Sequence, residues 1–292
     1  MGNGRFAPSP SGDLHIGNLR TALLAWLFAR STGRGFVLRI DDLDRVRPGA
    51  AQRQIADLAA IGLDWDGPVV RQTERSGVYD AAIERLINAG LTYECYCTRR
   101  EIQQAASAPH APQGAYPGTC RGLTDSERTA KRAAGRPPAL RLRAAVREFT
   151  IVDELHGRFT GLVDDLVLRR GDGTTAYNLA VVVDDADQRV DQVVRGDDLL
   201  SSTPRQAYLA EVLDLPIPTY AHVPLALNET GQRLAKRDGP VTLSELIAGG
   251  QTAGQVLETI AASLGLVGTT SHAMLDTFDP RRLPTTPWVV ST

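Results

Sequence analysis

The first 90 residues alternate between short apolar runs and stretches in which apolar residues recur at helical spacing. Two strands and three helices are predicted in this order: strand 4–7, helix 15–30, strand 36–40, helix 48–61 and helix 79–88. Both strands are followed by turn-forming or acidic residues, and Gly33 and Gly90 end two of the helices. An alternation of strands and helices is typical of a parallel α/β sheet.

The pattern changes between residues 95 and 138, where cysteines, a stretch rich in Pro, Gly and Ala, and a basic run replace the regular spacing. We interpret this segment as an insertion between two halves of the sheet domain, residues 1–94 and 139–240. The elements predicted after the insertion are strands 139–143, 165–169, 178–183 and 190–194 and helices 204–213 and 253–264. Residues 241–292 are predicted to be a short helical appendage.

The composition indicates a globular protein, with 42% hydrophobic and 23% charged residues in 292. The formal net charge is −2, so the whole chain is not a general polyanion binder. The run from Arg128 to Arg147 is a local exception, with seven basic residues and no acidic one. This run could contact a nucleic acid backbone or be an ordinary solvated face.

No apolar run approaches the roughly 20 residues that cross a bilayer, so we expect no membrane insertion. The N-terminus becomes polar within ten residues, which is unlike a secretory signal. Three cysteines, an odd number, fit a reducing cytoplasm, and we expect a cytoplasmic protein.

The loop Pro8–Gly12 leaves the first strand and opens a helix that begins with His15, Gly17 and Asn18. Residues three apart share a helix face, so His15 and Asn18 could meet one ligand. A helix N-terminus favours bound phosphate, and a glycine lets a base or ribose approach the backbone. The alternative is a capped helix that contains a histidine by chance.

A second segment, Arg233-Leu234-Ala235-Lys236-Arg237-Asp238-Gly239, could by itself be a basic surface loop. Together the two segments resemble the "HIGH" and "KMSKS" signatures of class I aminoacyl-tRNA synthetases. Residues 5–10, 177–185 and 194–198 look like matching parts of glutamyl-tRNA synthetases. The resemblance covers about residues 4–240 and implies a Rossmann-type catalytic domain with a parallel sheet.

The resemblance implies that glutamate is activated by ATP, with Mg²⁺ bridging the phosphates. Adenylate formation needs positioning and stabilisation of phosphoryl charge, and no protein nucleophile. The catalytic and ATP-binding residues would be His15, Gly17, Asn18 and Lys236, with Gly17 contributing to ATP binding alone. The glutamate-binding residues would be Arg5, Phe6, Ala7, Pro8, Ser9, Asp41, Tyr177 and Arg195. Guanidinium groups suit the carboxylates of glutamate, and an acid suits its ammonium.

The chain departs from the family pattern at three positions. Arg233 and Ala235 replace the usual Lys and Ser of the second signature, so only Lys236 matches it there as a cation. Asp41 stands where the family usually has Glu, which is one methylene longer.

Cys95, Cys97 and Cys120 supply three of the four ligands that structural Zn²⁺ prefers. On chemistry alone His110 is the better fourth ligand, because imidazole binds zinc more commonly than phenolate does. The family resemblance instead implies Tyr116, in a Cys-x-Cys…Tyr-x-x-x-Cys pattern. The alternative is three unrelated reduced thiols.

Glutamyl-tRNA synthetases carry an anticodon-binding domain after the catalytic domain, whereas 53 residues follow Gly239 here. The chain therefore resembles the shorter branch of the family, the glutamyl-queuosine tRNA(Asp) synthetases. That resemblance implies tRNA-independent activation of L-glutamate and its transfer to queuosine in the anticodon of tRNA(Asp). Two alternatives stay open: a small glutamyl-tRNA synthetase, and a non-catalytic tRNA-binding module. We expect a monomer.

Overall fold

A computed structural model describes residues 2–98, 100–102, 116–232, 234 and 241–290 of the chain. Its centre is a seven-stranded sheet with the order β3-β2-β1-β9-β10-β6-β7. The first six strands of this order are parallel, and β7 is antiparallel to β6. The prediction of an α/β fold with a mostly parallel sheet is confirmed.

The N-terminal half contains the elements that the hydrophobic pattern predicts. They are β1 Asn3–Phe6, α1 Ile16–Ser31, β2 Gly35–Ile40, α2 Ala50–Ala60 and, after the short strand β3 Val70–Arg71 that was not predicted, α3 Ser76–Asn88. Helix α1 is buried over most of its length, because it lies between the sheet and the C-terminal helices.

A three-stranded antiparallel sheet with the order β4-β5-β8 connects the two halves. Its strands are β4 Thr92–Cys95, β5 Ala139–Leu142 and β8 Val167–Arg169. Helix α4, Asp125–Ala133, precedes β5 and has no buried residue. The hairpin of β6, Glu148–Asp153, and β7, Gly157–Leu162, was not predicted from the sequence.

The prediction of a strand at residues 178–183 is wrong, since the structure has a helix, α5 Tyr177–Asp187. A short apolar run cannot by itself distinguish a buried strand from a buried helix. Residues 179–185 are all buried, so tertiary burial overrides the strand preference of the three valines.

The remaining elements complete the main sheet, contribute helices to two separate cores and add a small two-stranded sheet. They are β9 Val190–Gly196, α6 Thr203–Val212, β10 Thr219–Val223, β11 Ala226–Leu227, α7 Leu243–Ala248, α8 Ala253–Ser263, α9 Ser271–Leu275 and β12 Trp288–Val289. Helices α8 and α9 pack against α1 and share its core, and β12 pairs with β11. In the part of the chain that the structure describes, no helix combines the length and apolarity that a membrane crossing requires.

Candidate functional site

A cavity of about 570 Å³ opens where β1 and β9 end. The carboxyl ends of parallel strands are the usual ligand-binding edge of an open α/β sheet. Nine predicted site residues line this cavity: Arg5, Phe6, Ala7, Pro8, Ser9, His15, Asn18, Tyr177 and Arg195. The fold therefore brings the expected glutamate-binding residues and the start of the expected ATP-binding helix to one place.

Hydrogen bonds from neighbouring segments fix the loop Pro8–Gly12 at the cavity. The Nε2 of Gln54, on α2, donates to the carbonyl of Ser9 at 3.1 Å and to that of Gly12 at 2.7 Å. The backbone N–H of Asp41 donates to the carbonyl of Pro8 at 3.0 Å. The loop is thus tied both to the end of β2 and to α2.

His15 and Asn18 form a reciprocal cap at the start of α1. Nδ1 of His15 accepts from the N–H of Asn18 at 3.2 Å, and Oδ1 of Asn18 accepts from the N–H of His15 at 3.2 Å. This capping box satisfies two N–H groups that would otherwise lack a helical partner. Both side chains also line the cavity. Each of them therefore caps the helix and is also placed where it could meet a ligand.

Gly17 is buried and is not among the residues that line the cavity. A Cβ at this position would lie 2.8 Å from Cβ of Ala226, which is closer than two carbons can pack. Close packing between α1 and β11 therefore explains the glycine, and its contact with ATP stays a prediction. Lys236, with Arg233 and Ala235, lies outside the described residues.

Below the cavity, Arg39 of β2 is fully buried and joins two carboxylates. Its Nε lies 2.8 Å from Asp41 Oδ1, and its Nη1 lies 2.7 Å from Asp185 Oδ1. Asp185, on α5, also lies 3.5 Å from Nε of Arg5. Arg5 is thereby positioned by a charge network that spans β1, β2 and α5.

Asp41 is 4% exposed and is not among the residues that line the first cavity, although its backbone N–H contacts Pro8. Burial raises the pKa of Asp41 to about 6, although the charge of Arg39 and its hydrogen bond act in the opposite direction. Burial also opposes ionisation of Asp185, but Arg5 and Arg39 outweigh it and keep the pKa of Asp185 below its usual value.

Arg195 is 5% exposed, and no carboxylate of the described residues lies within ion-pair distance of it. Burial, reinforced by the charge of Arg5, lowers the pKa of Arg195, although Tyr177, Tyr220 and Asp185 act in the opposite direction. A buried guanidinium without a counterion is costly, and the usual solution is a bound anion. The prediction that Arg195 binds a carboxylate is compatible with this geometry.

A second cavity of about 1040 Å³ adjoins the first, and the two share Ser9, Ser11 and Tyr177. Asp41 lines this second cavity, and the side chain of Tyr177 is 44% exposed between the two. Four arginines stand around the second cavity: Arg45, Arg136, Arg141 and Arg170. It extends from Asp41 and Tyr177 to Cys95 and Cys97.

The three cysteines lie together, with their sulfur atoms within 4.8 Å of one another. Sγ of Cys97 and Sγ of Cys120 are 3.5 Å apart. The phenolic oxygen of Tyr116 lies 3.3 Å from Sγ of Cys95 and 3.8 Å from Sγ of Cys97. Tetrahedral zinc with Zn–S bonds of about 2.3 Å places its ligand atoms roughly 3.5–3.8 Å apart, so this cluster is consistent with a structural zinc site.

Arg141 supports the cysteine cluster from β5. Its guanidinium carbon lies 3.6 Å from the centre of the Tyr116 ring. Burial disfavours the thiolate of Cys95, but hydrogen bonds from Tyr116 and Arg141 prevail and lower its pKa. Burial, together with Cys120 and Cys95, raises the pKa of Cys97 to about 12. His110 lies outside the described residues.

The basic run from Arg128 to Arg147 does not form one cationic face. Arg128 forms an ion pair with Asp125, and Arg132 forms one with Glu94. The guanidinium of Arg143 stacks on Tyr93, and Arg141 is buried against Tyr116. Four of the seven basic side chains therefore have partners within the protein, which weakens the prediction that this run contacts nucleic acid.

Several residues of the site had no recognisable signal in the sequence. Arg39 and His222 are single polar residues within apolar strands, and Thr203 and Gln206 stand in an ordinary polar stretch, residues 201–206. The structure places the last three within hydrogen-bond distance of Arg195. A polar residue inside a buried strand is the only indication that could have identified Arg39 and His222.

The fold and the cavity at the start of α1 agree with the class of protein that the comparisons with known proteins identify. Residues 3–284 match the family described as tRNA synthetases class I (E and Q), catalytic domain, and the chain belongs to this family. Among curated relatives, the chain is 69% identical to Glutamyl-Q tRNA(Asp) synthetase of Nocardia farcinica, over 99% of this chain and 93% of that protein. It is 55% identical to the protein of the same name from Cutibacterium acnes, over 90% of this chain and 76% of the relative.

Among solved structures, the glutamate-tRNA synthetase of Elizabethkingia anophelis superposes with a TM-score of 0.85 at 28% identity. The match covers 100% of this chain and 68% of that synthetase. A glutamate tRNA ligase from Elizabethkingia meningosepticum, crystallised with its amino acid, has a TM-score of 0.84 at 27% identity. That match covers 99% of this chain and 67% of the ligase. The predicted family is confirmed.

Proposed function

We propose that the protein activates glutamate with ATP, without tRNA, and transfers it to queuosine in the anticodon of tRNA(Asp). The observation that carries the proposal is the cavity in which buried Arg5 and Arg195 stand beside the N-terminus of α1. The names of the two curated relatives support the choice of acceptor.

In the first step a carboxylate oxygen of glutamate attacks the α-phosphorus of ATP, and pyrophosphate leaves. His15, Asn18 and the N-terminus of α1 would bind the phosphates, and Lys236 would stabilise the charge that develops on them. Mg²⁺, when bound to the phosphates, would supply further neutralising charge. The contribution of the protein is positioning and electrostatic stabilisation, which can lower such a barrier without a nucleophilic side chain.

The pocket would select glutamate through its charges. Arg195 would bind a carboxylate, because no carboxylate of the described residues pairs with it. Arg5 and Tyr177 line the same cavity, and Asp41 would attract the ammonium from the end of β2. An amino acid without a carboxylate for Arg195 would leave this buried guanidinium without a counterion, which is a strong form of rejection.

The second cavity would receive the acceptor nucleotide, because it adjoins the glutamate-binding residues at Ser9 and Tyr177. Arg45 and Arg136 of its lining would attract the phosphates of the anticodon loop, whereas Arg141 and Arg170 have partners within the protein, and binding would weaken as salt is added. The protein would act as a cytoplasmic monomer, with residues 1–240 as the catalytic domain around the insertion 95–138.

We also propose that Cys95, Cys97, Tyr116 and Cys120 hold one structural Zn²⁺. The distances between their ligand atoms support Tyr116 as the fourth ligand. The metal would join β4 to the segment before α4 and keep Arg141 at the wall of the second cavity.

The decisive test is transfer of labelled glutamate, with ATP and Mg²⁺, to tRNA with queuosine and to tRNA without it. We expect label only on queuosine-containing tRNA(Asp). Equal labelling of tRNA(Glu) in both pools would instead indicate a glutamyl-tRNA synthetase. No labelling of either pool, together with no exchange of pyrophosphate into ATP, would favour a non-catalytic tRNA-binding module.

A further inference from the structure

His222 is the direct neighbour of Arg195 in the sheet, since the two residues are paired between β10 and β9. Nε of Arg195 donates to Nε2 of His222 at 3.1 Å. Nη2 of Arg195 donates to Oγ1 of Thr203 and to Oε1 of Gln206, both at 2.8 Å. Nη1 makes no hydrogen bond to the residues that the structure describes, although the other two guanidinium nitrogens are engaged.

These contacts determine which nitrogen of His222 carries the proton. An arginine Nε always carries hydrogen and can only donate, so Nε2 of His222 must offer its lone pair. The proton is therefore on Nδ1, which lies 2.6 Å from Oδ2 of Asp153. Asp153, at the end of β6, thus selects the tautomer that can accept from Arg195.

Asp153 is itself held in place by the backbone. Its Oδ1 accepts from the N–H groups of Leu155 and His156 at 2.9 and 3.0 Å. Its Oδ2 accepts from the N–H of His222 at 3.1 Å. Asp153 and His222 are both inaccessible to solvent, so this arrangement is shielded from competing water.

We propose that His222 and Asp153, with Thr203 and Gln206, are positioning residues for the carboxylate-binding Arg195. Together they engage two sides of the guanidinium and leave its third nitrogen, Nη1, for the substrate. The proposal rests on the proposed function, because it assumes that Arg195 binds a carboxylate of glutamate. It predicts that the network controls glutamate binding and leaves ATP binding unchanged.

The test compares variants of His222 in glutamate-dependent, tRNA-independent pyrophosphate exchange. In His222→Asn the amide can still reach Asp153 but is too short to accept from Arg195. We expect KM for glutamate to rise about 10- to 100-fold, with KM for ATP within about twofold of the wild type. His222→Gln places an amide oxygen near the position of Nε2, and we expect it to restore much of the glutamate affinity.

Two further variants keep the result interpretable. Thr203→Val removes, at almost constant volume, a hydroxyl that accepts from Nη2 and also lies 2.9 Å from Nε2 of His222. We expect KM for glutamate to rise about tenfold in this variant even if His222→Asn does not fold. His156→Ala is the control, because the His156 ring contacts the carbonyl of His222 and does not contact Arg195. We expect its KM for glutamate to be unchanged.

If KM for glutamate and KM for ATP rise by the same factor in His222→Asn, and do so in His156→Ala as well, the positioning role is overturned and a structural role is indicated. An unchanged KM for glutamate in His222→Asn and Thr203→Val would also overturn it. A wild-type protein without any pyrophosphate exchange would overturn the proposed function and the positioning role with it.

Discussion

Replacement of Arg195 by alanine tests the glutamate pocket most directly. Arg195 is buried, lines the cavity and has no carboxylate partner among the described residues. A hydrogen bond to a charged group contributes about 1.5–3 kcal/mol. With one or two such bonds to the substrate, the loss is about 3 kcal/mol, which is roughly a 100-fold weaker interaction.

The assay is glutamate-dependent exchange of pyrophosphate into ATP, with glutamate and ATP varied separately. We expect KM for glutamate to rise about 100-fold in Arg195→Ala, and KM for ATP to change by less than about threefold. Arg195→Lys retains the charge but lacks the guanidinium fork, so its KM for glutamate should be intermediate.

Arg20→Ala provides the matched control. Arg20 is 1% exposed, and its Nη1 donates to the carbonyl of Pro224 at 2.6 Å, but it does not line the cavity. Loss of this buried arginine should lower the melting temperature and leave KM for glutamate unchanged. Equal increases of the two KM values in Arg195→Ala, or a similar change in Arg20→Ala, would refute the assignment of Arg195 to glutamate.

Three further predictions concern other parts of the molecule. Because burial raises the pKa of Asp41 to about 6, its carboxylate becomes neutral below that pH. In a pH series of the exchange assay, KM for glutamate should therefore be constant above pH 7 and rise below pH 6. A KM for glutamate that stays constant down to pH 5 would contradict the role of Asp41. Metal analysis should find about one zinc per chain in the wild type and much less in Cys120→Ser; equal zinc contents would exclude the site. Gly17→Ala should lower the free energy of unfolding by about 1–3 kcal/mol, because the new Cβ meets Ala226; a thermal melt that shows stabilisation would refute this packing argument.

The sequence was most informative where function depends on contiguous residues. The loop Pro8–Gly12 and the start of α1 are adjacent in the chain, so their order alone indicated a phosphate-binding edge of a parallel sheet. The two signatures and residues 177–185 then identified the family, which the comparison with known proteins confirms. The cysteine spacing likewise indicated the cluster that the structure brings together.

The local sequence pattern did not predict the secondary structure of a segment that is buried on all sides. Residues 178–183 have the apolar run and the valines of a strand, yet they form part of α5. The fold needs a helix there, because Asp184 and Asp185 must reach Arg39 from one side of the sheet. Hydrophobicity indicates that a segment is buried, but it does not indicate which of its sides are covered by the rest of the protein.

By itself, the sequence determined the α/β class, the family and nine of the residues that line the cavity, because these depend on local motifs. Only the tertiary structure decided what surrounds Arg195 and Arg39. Asp153, His222 and Arg195 come from three different strands, and their contact depends on the register of β6, β9 and β10. Such a network depends on contacts between distant segments, and no local pattern of residue types records it.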